Sequence, residues 1–236
     1  MFRTIAWFFY FWVSLFVSLF SLAKVKKYDE NGQVKEKEAL VRKTSKNWSA
    51  SLLRVAGVKV TVKGQENVPK DEAVLYVSNH QGNFDIPILI ACVEGNKGFV
   101  AKKELEKLPI VTKWMNYLQC IFLDRDNPRA SLRAINTGIQ KLKEGHSLVI
   151  FPEGTRSENG EMGEFKPGSL RLATKSGVKI IPVTINGSHK IMKKDSWMIR
   201  PAQVEIIIHE PISPLEETGE LTEKVYETIK KDIVSL

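Results

Sequence analysis

A histidine and an aspartate five positions apart are the pair of side chains in this chain best suited to acid–base chemistry. His80 and Asp85 are the first and last residues of the stretch HQGNFD. If the carboxylate accepted a hydrogen bond from one imidazole nitrogen, the other nitrogen would be free to act as a general base. The motif contains no Ser or Cys nucleophile. This favours removal of a proton from a substrate hydroxyl over a covalent enzyme intermediate.

The two side chains can meet only if the chain turns between them. On a regular helix they would lie about 140° apart. Gly82 and Asn83 favour a turn, and Pro87 is tolerated in a first helical turn, so a helix is predicted to begin near Asp85. Taken alone, the motif leaves an alternative open, in which His80 is an ordinary turn histidine and Asp85 a helix cap.

A second polar cluster has the sequence FPEGTRS and ends a predicted buried strand. Arg156 offers a planar pair of donors that suits a phosphate, and Thr155 adds a hydroxyl. Gly154 lets the backbone approach a ligand closely, and Glu153 could orient the arginine or contact a substrate hydroxyl. The alternative is an ordinary turn with a surface ion pair worth under about 1 kcal/mol. A rigid turn directly after a buried strand favours the functional interpretation.

Two more cations follow predicted strands. Lys102 and Arg125 each begin a loop and are further candidates for binding phosphate, although each alone is more typical of a solvated surface cation. The four histidines are scattered, and no His/Cys cluster has the spacing of zinc ligands. We therefore predict no metal site and no cofactor.

The elements that must position these side chains alternate between strand and helix. Strands are predicted at 58–62, 73–78, 98–101, 120–123, 147–151, 179–185 and 202–208, and helices at 35–55, 85–93, 109–118, 128–143 and 216–235. This order predicts the α/β class, with a mixed, mostly parallel sheet and helices on both of its faces. In such sheets functional residues gather where strands end, and all four polar clusters directly follow strands.

Composition limits the size of the fold and the class of partner. The 236 residues predict one principal domain over 58–236, preceded by a small segment over 1–57, and the 43% apolar content is enough for a core. The net charge of +8 points to an anionic partner, such as nucleic acid, anionic lipid or a phosphorylated substrate. No nucleic-acid-binding motif is present, so nucleic acid is not expected. Cys92 and Cys120 lie in apolar surroundings and are predicted to be buried thiols.

The first segment has the length and composition of a membrane anchor. Residues 5–23 carry no charge and are rich in Trp, Phe, Leu and Val, which is enough to cross a bilayer. Arg3 precedes them, and Lys24, Lys26 and Lys27 follow, which places the downstream chain on the cytoplasmic side of the cell membrane. A cleaved signal peptide, a spanning helix and a helix dipping into one leaflet remain alternatives. A retained anchor is favoured, because the apolar run is long and strongly basic residues follow it.

The next predicted helix is basic and amphipathic. Beside an anchor, the helix over 35–55 is expected to lie at an anionic lipid surface, and with the first helix it forms a membrane-associated pair. A helix merely packed on the domain would explain the same residues.

With both polar clusters in hand, the chain resembles the glycerolipid acyltransferase family, and within it the lysophosphatidate branch. Four blocks match in order between about residues 73 and 185: NHQGNFD, the stretch from KKEL to FLDR, FPEGTRS, and the Ile-Pro-Val of the sixth predicted strand. The first and third blocks together are highly specific. The resemblance implies acyl transfer from a thioester of coenzyme A or acyl carrier protein to the sn-2 hydroxyl of lysophosphatidate, which yields phosphatidic acid.

The resemblance also implies roles for individual residues. His80 would deprotonate the acceptor hydroxyl, and Asp85 would orient the imidazole and stabilise its charge. Lys102, Arg125 and the loop Glu153-Gly154-Thr155-Arg156 would hold the glycerol phosphate of the acceptor.

Other functions remain to be separated from this one. The same chemistry on another acceptor, such as glycerol 3-phosphate or a different lysophospholipid, is the nearest alternative. A serine-type thioesterase or lipase is disfavoured because the chain has no Gly-x-Ser-x-Gly elbow. A non-catalytic adaptor at a membrane surface would explain the anchor and the charge, but not the two polar loops. Acyl-chain length, choice of donor and oligomeric state are not predicted.

Overall fold

A computed structural model describes residues 1–157, 160–166, 168–193, 195–215 and 218–234 of the chain. Two long helices come first, α1 (Phe2–Glu30) and α2 (Val34–Ala56). The other helices are α3 (Asp85–Cys92), α4 (Pro109–Tyr117), α5 (Pro128–Lys143), α6 (Arg171–Ser176) and α7 (Thr218–Lys230). Short 3-10 helices occupy Gln65–Asn67, Lys103–Lys107 and Ser188–Lys190.

Seven strands form one sheet in the order β1-β7-β6-β2-β5-β3-β4. They are β1 (Lys59–Lys63), β2 (Val74–Ser78), β3 (Lys97–Lys102), β4 (Ile121–Leu123), β5 (Ser147–Ile150), β6 (Lys179–Asn186) and β7 (Gln203–Ile208). Only the β6–β7 pairing is antiparallel among the pairings described. The predicted fold class, a mostly parallel mixed sheet flanked by helices, is confirmed.

Side chains of the central strand alternate between two hydrophobic cores, one on each face of the sheet. Val74 and Tyr76 of β2 pack with residues of α1, α2 and α3, whereas Leu75 and Val77 pack with residues of α5, α6 and α7. All five residues of β2 are buried, as expected for a parallel strand covered on both faces. The central strand is therefore held rigidly by packing on both sides.

Because β6, β2, β5, β3 and β4 are parallel neighbours, their carboxyl ends share one edge of the sheet. The four polar clusters follow β2, β3, β4 and β5, and so they converge there. This edge holds the candidate site.

The two N-terminal helices are packed on the α/β domain. The indole of Trp7 in α1 donates to the Leu52 carbonyl in α2 at 3.0 Å, and the Ile199 amide donates to the Thr4 hydroxyl at 3.1 Å. Helix α2 buries Leu52, Leu53 and Ala56 and ends at Gly57, whose φ of 76° is left-handed. The carboxyl half of α2 is thus packed on the domain, as one of the two interpretations of that segment predicted.

Three element predictions need correction. Helix α1 continues to Glu30, beyond the predicted apolar run over 5–23, and the turn that follows contains Gly32 with φ of 68°. Helix α6 was missed, because its six residues are too short for a periodic pattern. The predicted helix over 216–235 is Thr218–Lys230; positions 216, 217 and 235 lie outside the described residues. Both cysteines are free thiols; Cys120 is buried as predicted, whereas the prediction was wrong for Cys92, which is only partly buried.

Candidate active site

The end of β2 fixes where His80 begins its turn. The side-chain amide of Asn79 donates to the Ile185 carbonyl at 2.9 Å and accepts from the Ile185 amide at 2.8 Å. This paired bond ties the end of β2 to β6, so the backbone position of His80 is set by the sheet.

His80 and Asp85 meet across the turn. His80 Nδ1 lies 2.7 Å from Asp85 Oδ2, and the carboxylate is fully buried. The same oxygen accepts from the backbone amides of Gln81 at 2.7 Å and Gly82 at 2.9 Å, and Oδ1 accepts from the Ser188 hydroxyl. Asp85 also occupies the first turn of α3, where the helix dipole favours negative charge. These donors stabilise the ionised carboxylate beside the imidazole.

The imidazole plane is fixed by an aromatic neighbour. The ring of Phe151 stacks on that of His80 with centroids 4.1 Å apart and an interplanar angle of 19°. The His80 side chain is 19% exposed and lines a cavity at the sheet edge. With Nδ1 donating to Asp85, Nε2 carries the lone pair and is the nitrogen able to accept a proton.

Glu153 lies behind the histidine and does not line the cavity. Its Oε1 accepts from the His80 amide at 2.6 Å and its Oε2 accepts from the Gly163 amide at 2.8 Å. Burial raises the pKa of the Glu153 carboxyl, and these two backbone donors oppose that shift. The Ser157 amide donates in turn to the His80 carbonyl at 2.7 Å. The loops after β2 and β5 are thereby joined on either side of His80.

All three predicted cations line the cavity: Lys102, Arg125 and Arg156. Arg156 donates to the side-chain carbonyl of Asn83 at 3.1 Å, and Arg125 donates to the Gly154 carbonyl. Each guanidinium is oriented by one protein acceptor and keeps further donors for a ligand. An anionic group that entered the cavity would be attracted to the part lined by these three cations.

Lys166 is a fourth cation at the cavity, and no sequence motif pointed to it. Its side chain crosses Gly154, which has φ of +70°; an added Cβ there would lie 2.8 Å from Lys166 Cε. Gly154 is favoured there by its left-handed backbone, whereas the flexible end of Lys166 could move aside for a larger residue.

Most of the rest of the cavity wall is apolar and aromatic, with a few polar side chains such as Ser45, Asn83 and Glu104. The cavity measures about 960 Å³ and runs between the N-terminal helices and α4. Apolar side chains lining it include Trp7, Phe8, Phe11, Leu15, Trp48, Leu52, Val111, Trp114, Met115 and Leu118. Trp48 and Trp114 donate through their indole N–H groups to the hydroxyls of Ser14 at 2.9 Å and Ser18 at 3.0 Å, so their polar atoms are satisfied. One cavity thus joins a cationic end to an apolar channel.

All eight residues singled out from the sequence lie at this one edge. Six of them line the cavity: His80, Lys102, Arg125, Gly154, Thr155 and Arg156. Asp85 and Glu153 lie behind the wall, and sequence reasoning missed Ser188 and Lys166. No group of three or more His, Cys, Asp or Glu side chains suited to a metal ion occurs within the described part of the chain. The roles assigned to these residues stay predictions.

Comparison with known proteins identifies the family. A family model described as Acyltransferase matches residues 59–186, which include the His80–Asp85 turn, β6 and the cations Lys102, Arg125 and Arg156. The chain belongs to the acyltransferase family.

Within the aligned regions, several curated acyltransferases are about one third identical to this chain. A chloroplastic 1-acyl-sn-glycerol-3-phosphate acyltransferase of Arabidopsis thaliana is 37% identical over 65% of this chain and 44% of its own length. A protein of Mycoplasma pneumoniae described as a probable 1-acyl-sn-glycerol-3-phosphate acyltransferase is 37% identical over 69% of this chain and 65% of its own. A protein of Borreliella burgdorferi described as a 1-acyl-sn-glycerol-3-phosphate acyltransferase is 32% identical over 77% and 73%. The chain spans about half to two thirds of the length of the first two relatives.

A solved acyltransferase structure has the same fold over nearly its whole length. The crystal structure of the 1-acyl-sn-glycerophosphate (LPA) acyltransferase PlsC from Thermotoga maritima superposes with a TM-score of 0.88 at 33% sequence identity. The match covers 97% of this chain and 92% of that one. The N-terminal helix pair is therefore included in the similarity.

Proposed function

We propose that this acyltransferase moves a fatty acyl chain from an acyl thioester to the sn-2 hydroxyl of 1-acyl-glycerol 3-phosphate, forming phosphatidic acid for phospholipid synthesis. One observation carries the proposal: the His80–Asp85 pair opens into a cavity that is cationic at one end and apolar along the other. An acceptor with a phosphate, a free hydroxyl and an acyl chain would complement this cavity, with its anionic phosphate at the cationic end and its acyl chain against apolar side chains. The names of the similar proteins support the same acceptor.

The proposed reaction begins with proton removal. His80 Nε2 takes the proton of the acceptor hydroxyl as its oxygen attacks the thioester carbonyl carbon, and the imidazolium is stabilised by Asp85. The tetrahedral intermediate then collapses, the carbon–sulfur bond breaks, and the thiolate recovers the proton from His80. The Asp85 carboxylate fixes the tautomer throughout, because its hydrogen bond is to Nδ1.

Phosphate binding positions the hydroxyl. Lys102, Arg125 and Arg156, joined by Lys166, are proposed to bind the acceptor phosphate at the cationic end of the cavity. Arginine donors suit a phosphate because they bind two oxygens at once. Holding the phosphate fixes the distance of the attached glycerol from His80, and alignment of this kind is a large part of catalysis in transfer between two substrates. Thr155 and Gly154 are proposed to contact the glycerol backbone.

The donor requires no cofactor in this proposal. A thioester is already activated towards an alcohol, so a base and alignment of the two substrates suffice. The acyl chain is proposed to enter the apolar channel between the N-terminal helices and α4. Coenzyme A and acyl carrier protein present the same thioester, and we treat both as donors.

Helix α1 is proposed to attach the enzyme to the cell membrane by lying in one leaflet. It is the one helix among the described residues long and apolar enough to cross a bilayer. Its inner side is hydrogen-bonded to the rest of the protein from Thr4 to Ser18, whereas outward-facing side chains such as Phe9, Phe16 and Phe20 are exposed. A helix covered by protein along one side cannot be surrounded by lipid, so an interfacial position is favoured over a span.

The position of the active site supports this arrangement. Trp7, Phe11 and Leu15 of α1 line the reaction cavity, so a lipid acceptor would reach it from the bilayer without crossing water. The basic residues Lys24, Lys26 and Lys27 at the end of the apolar run favour the cytoplasmic surface and anionic lipid.

Product analysis tests the proposal. The full-length chain in detergent is offered acyl-CoA or acyl carrier protein thioester together with lysophosphatidate, glycerol 3-phosphate, lysophosphatidylcholine or monoacylglycerol, and products are identified by mass spectrometry. We expect phosphatidic acid as the main product. Preferential acylation of glycerol 3-phosphate or lysophosphatidylcholine would replace the acceptor assignment, and equal thioester hydrolysis with and without any acceptor would overturn acyl transfer.

A further inference from the structure

Ser188 lies next to the catalytic pair in space but far from it in sequence. It begins the short helix Ser188–Lys190 that follows β6, and its side chain is 1% exposed. Its hydroxyl donates to Oδ1 of Asp85, a residue 103 positions earlier. No motif that pointed to the site from the sequence includes this serine.

The turn that presents Ser188 is tightly constrained. Gly187 has φ of +91°, and a Cβ there would lie 2.7 Å from the Gln203 carbonyl oxygen, so only glycine fits. The Gly187 amide donates to the side-chain carbonyl of Gln81 at 2.9 Å, and Gln81 is the residue next to His80. The end of β6 is thus tied to the His80 turn at two neighbouring points.

The two carboxylate oxygens of Asp85 accept different numbers of hydrogen bonds. Oδ2 receives His80 Nδ1 and the amides of Gln81 and Gly82, whereas in the described part of the chain Ser188 alone donates to Oδ1. Because Asp85 is fully buried, bulk water cannot take over from a lost donor. An unpaired oxygen of a buried carboxylate is unfavourable, and the carboxylate relieves this by rotating or by taking up a proton.

We propose that Ser188 is a positioning residue for catalysis, which holds the Asp85 carboxylate in the orientation that aims Oδ2 at His80 Nδ1. Ser188, Asp85 and His80 then form a chain of hydrogen bonds in which the serine acts through the carboxylate and never touches substrate. Only the kinetic test of this inference rests on the proposed function, because that test needs turnover of lysophosphatidate.

Among the described residues, the other serine hydroxyls seen to donate a hydrogen bond donate it to backbone carbonyls. Ser176, for example, donates to the Leu172 carbonyl four positions earlier, which is the usual local bond of a serine in a helix. The Ser188 hydroxyl instead donates to the Asp85 carboxylate, a charged group on another element. Hydrogen bonds to charged acceptors are stronger than those to neutral ones. The charged, distant acceptor distinguishes Ser188 from serines such as Ser176, whose hydrogen bonds only serve the local helix.

Replacement of the hydroxyl should affect turnover more than binding. For Ser188→Ala we expect kcat to fall about tenfold with the KM for lysophosphatidate changed less than about twofold, because the base loses orientation while the phosphate-binding cations are untouched. The acid limb of the pH profile of kcat/KM should move to higher pH, since a carboxylate with one donor fewer binds a proton more readily. Glu153 and His189 are the other titratable groups whose charge acts on Asp85, and neither is altered.

Three variants make the test specific. Ser188→Thr keeps the hydroxyl and should retain most of the activity; Ser188→Cys, a weaker donor of similar size, should fall between serine and alanine. Ser176→Ala removes a hydroxyl remote from the site and should leave kcat and the pH profile unchanged. Thermal unfolding of every variant monitors the fold.

A spectroscopic readout separates this inference from the proposed reaction. The Nδ1 proton of His80, observed by NMR, reports its bond to Asp85 without any substrate, and its resonance should move upfield in Ser188→Ala. If wild-type protein fails to acylate lysophosphatidate, the proposed function fails and the NMR shift still decides the role of Ser188. Wild-type kcat, an unmoved acid limb or an unchanged Nδ1 proton in a folded Ser188→Ala protein would each overturn the inference, as would equal loss in Ser176→Ala.

Discussion

Replacing Asp85 by asparagine removes a charge while leaving most hydrogen bonds possible. The amide oxygen of the new side chain can still accept from the Gln81 and Gly82 amides, as Oδ2 does at 2.7 and 2.9 Å. The amide nitrogen can donate to the Ser188 hydroxyl, which is able to accept. Asp85→Asn therefore changes the electrostatics of His80 with little change in shape.

The expected loss follows from the separation of charge. With 2.7 Å between Nδ1 and Oδ2, the centres of the imidazolium and carboxylate charges lie about 4 Å apart, which corresponds to about 4 kcal/mol at an effective dielectric constant near 20. That energy is present only while His80 is protonated, which happens in the transition state. Since about 1.4 kcal/mol is tenfold in rate, we expect kcat to fall about 10³-fold.

The assay is continuous detection of thiol released from the acyl thioester in the presence of lysophosphatidate. Asp71→Asn, a change of the same type at an exposed loop position, serves as the control and should keep wild-type kcat. A folded Asp85→Asn enzyme with kcat within about threefold of wild type would refute the assigned role of the carboxylate.

Three further changes test binding, stability and pH dependence. Arg156→Ala should raise the KM for lysophosphatidate about 10–100-fold and affect kcat less, because it removes a charged donor to phosphate. Arg129→Ala, at an exposed position, should leave this KM unchanged. A KM in Arg156→Ala equal to that of the wild type would remove Arg156 from the phosphate site. Lys97→Met should lower the free energy of unfolding by about 1–3 kcal/mol in urea titrations, since buried Lys97 donates to the carbonyls of Val93 at 2.7 Å and Gly95 at 2.8 Å; an unchanged midpoint would contradict this. Burial lowers the pKa of His209, whose Nε2 bonds the Thr184 hydroxyl at 2.9 Å. As the pH falls, the unfolded chain therefore takes up the proton before the folded protein does, and the free energy of unfolding should decrease below about pH 6.5. The decrease should be smaller in His209→Gln; the same dependence of unfolding free energy on pH in both proteins would contradict this role of His209.

The parts of the fold that sequence predicted well are those with strong local signals. The uncharged run of α1, the fully apolar β2 and the alternation of strands with helices each follow from residue type and period. Helix α6 has six residues and lies after a long loop, so its pattern was too short to read. The exact end of α1 was missed for another reason: polar residues up to Glu30 continue a helix whose apolar part had already ended.

The residues of the site also fall into those that local sequence predicts and those that only the tertiary structure brings together. His80 and Asp85 are five residues apart, and one local turn brings them together, so sequence could predict their pairing. Ser188 and Lys166 reach the site only through the sheet order, which places the ends of β6 and β5 beside that of β2. Glu153 shows a third case. Its position at the site was anticipated, but the direction of its carboxylate, towards the His80 and Gly163 amides, depends on packing.

The central claim is that one imidazole takes the proton of the acceptor hydroxyl, and the most direct measurement is the turnover of His80→Ala. With the fold verified by thermal unfolding, acyl-thioester consumption in the presence of lysophosphatidate should fall about 10²–10⁴-fold or to background, because the general base is gone. A folded His80→Ala protein that forms phosphatidic acid at the wild-type rate would contradict the mechanism proposed for this enzyme.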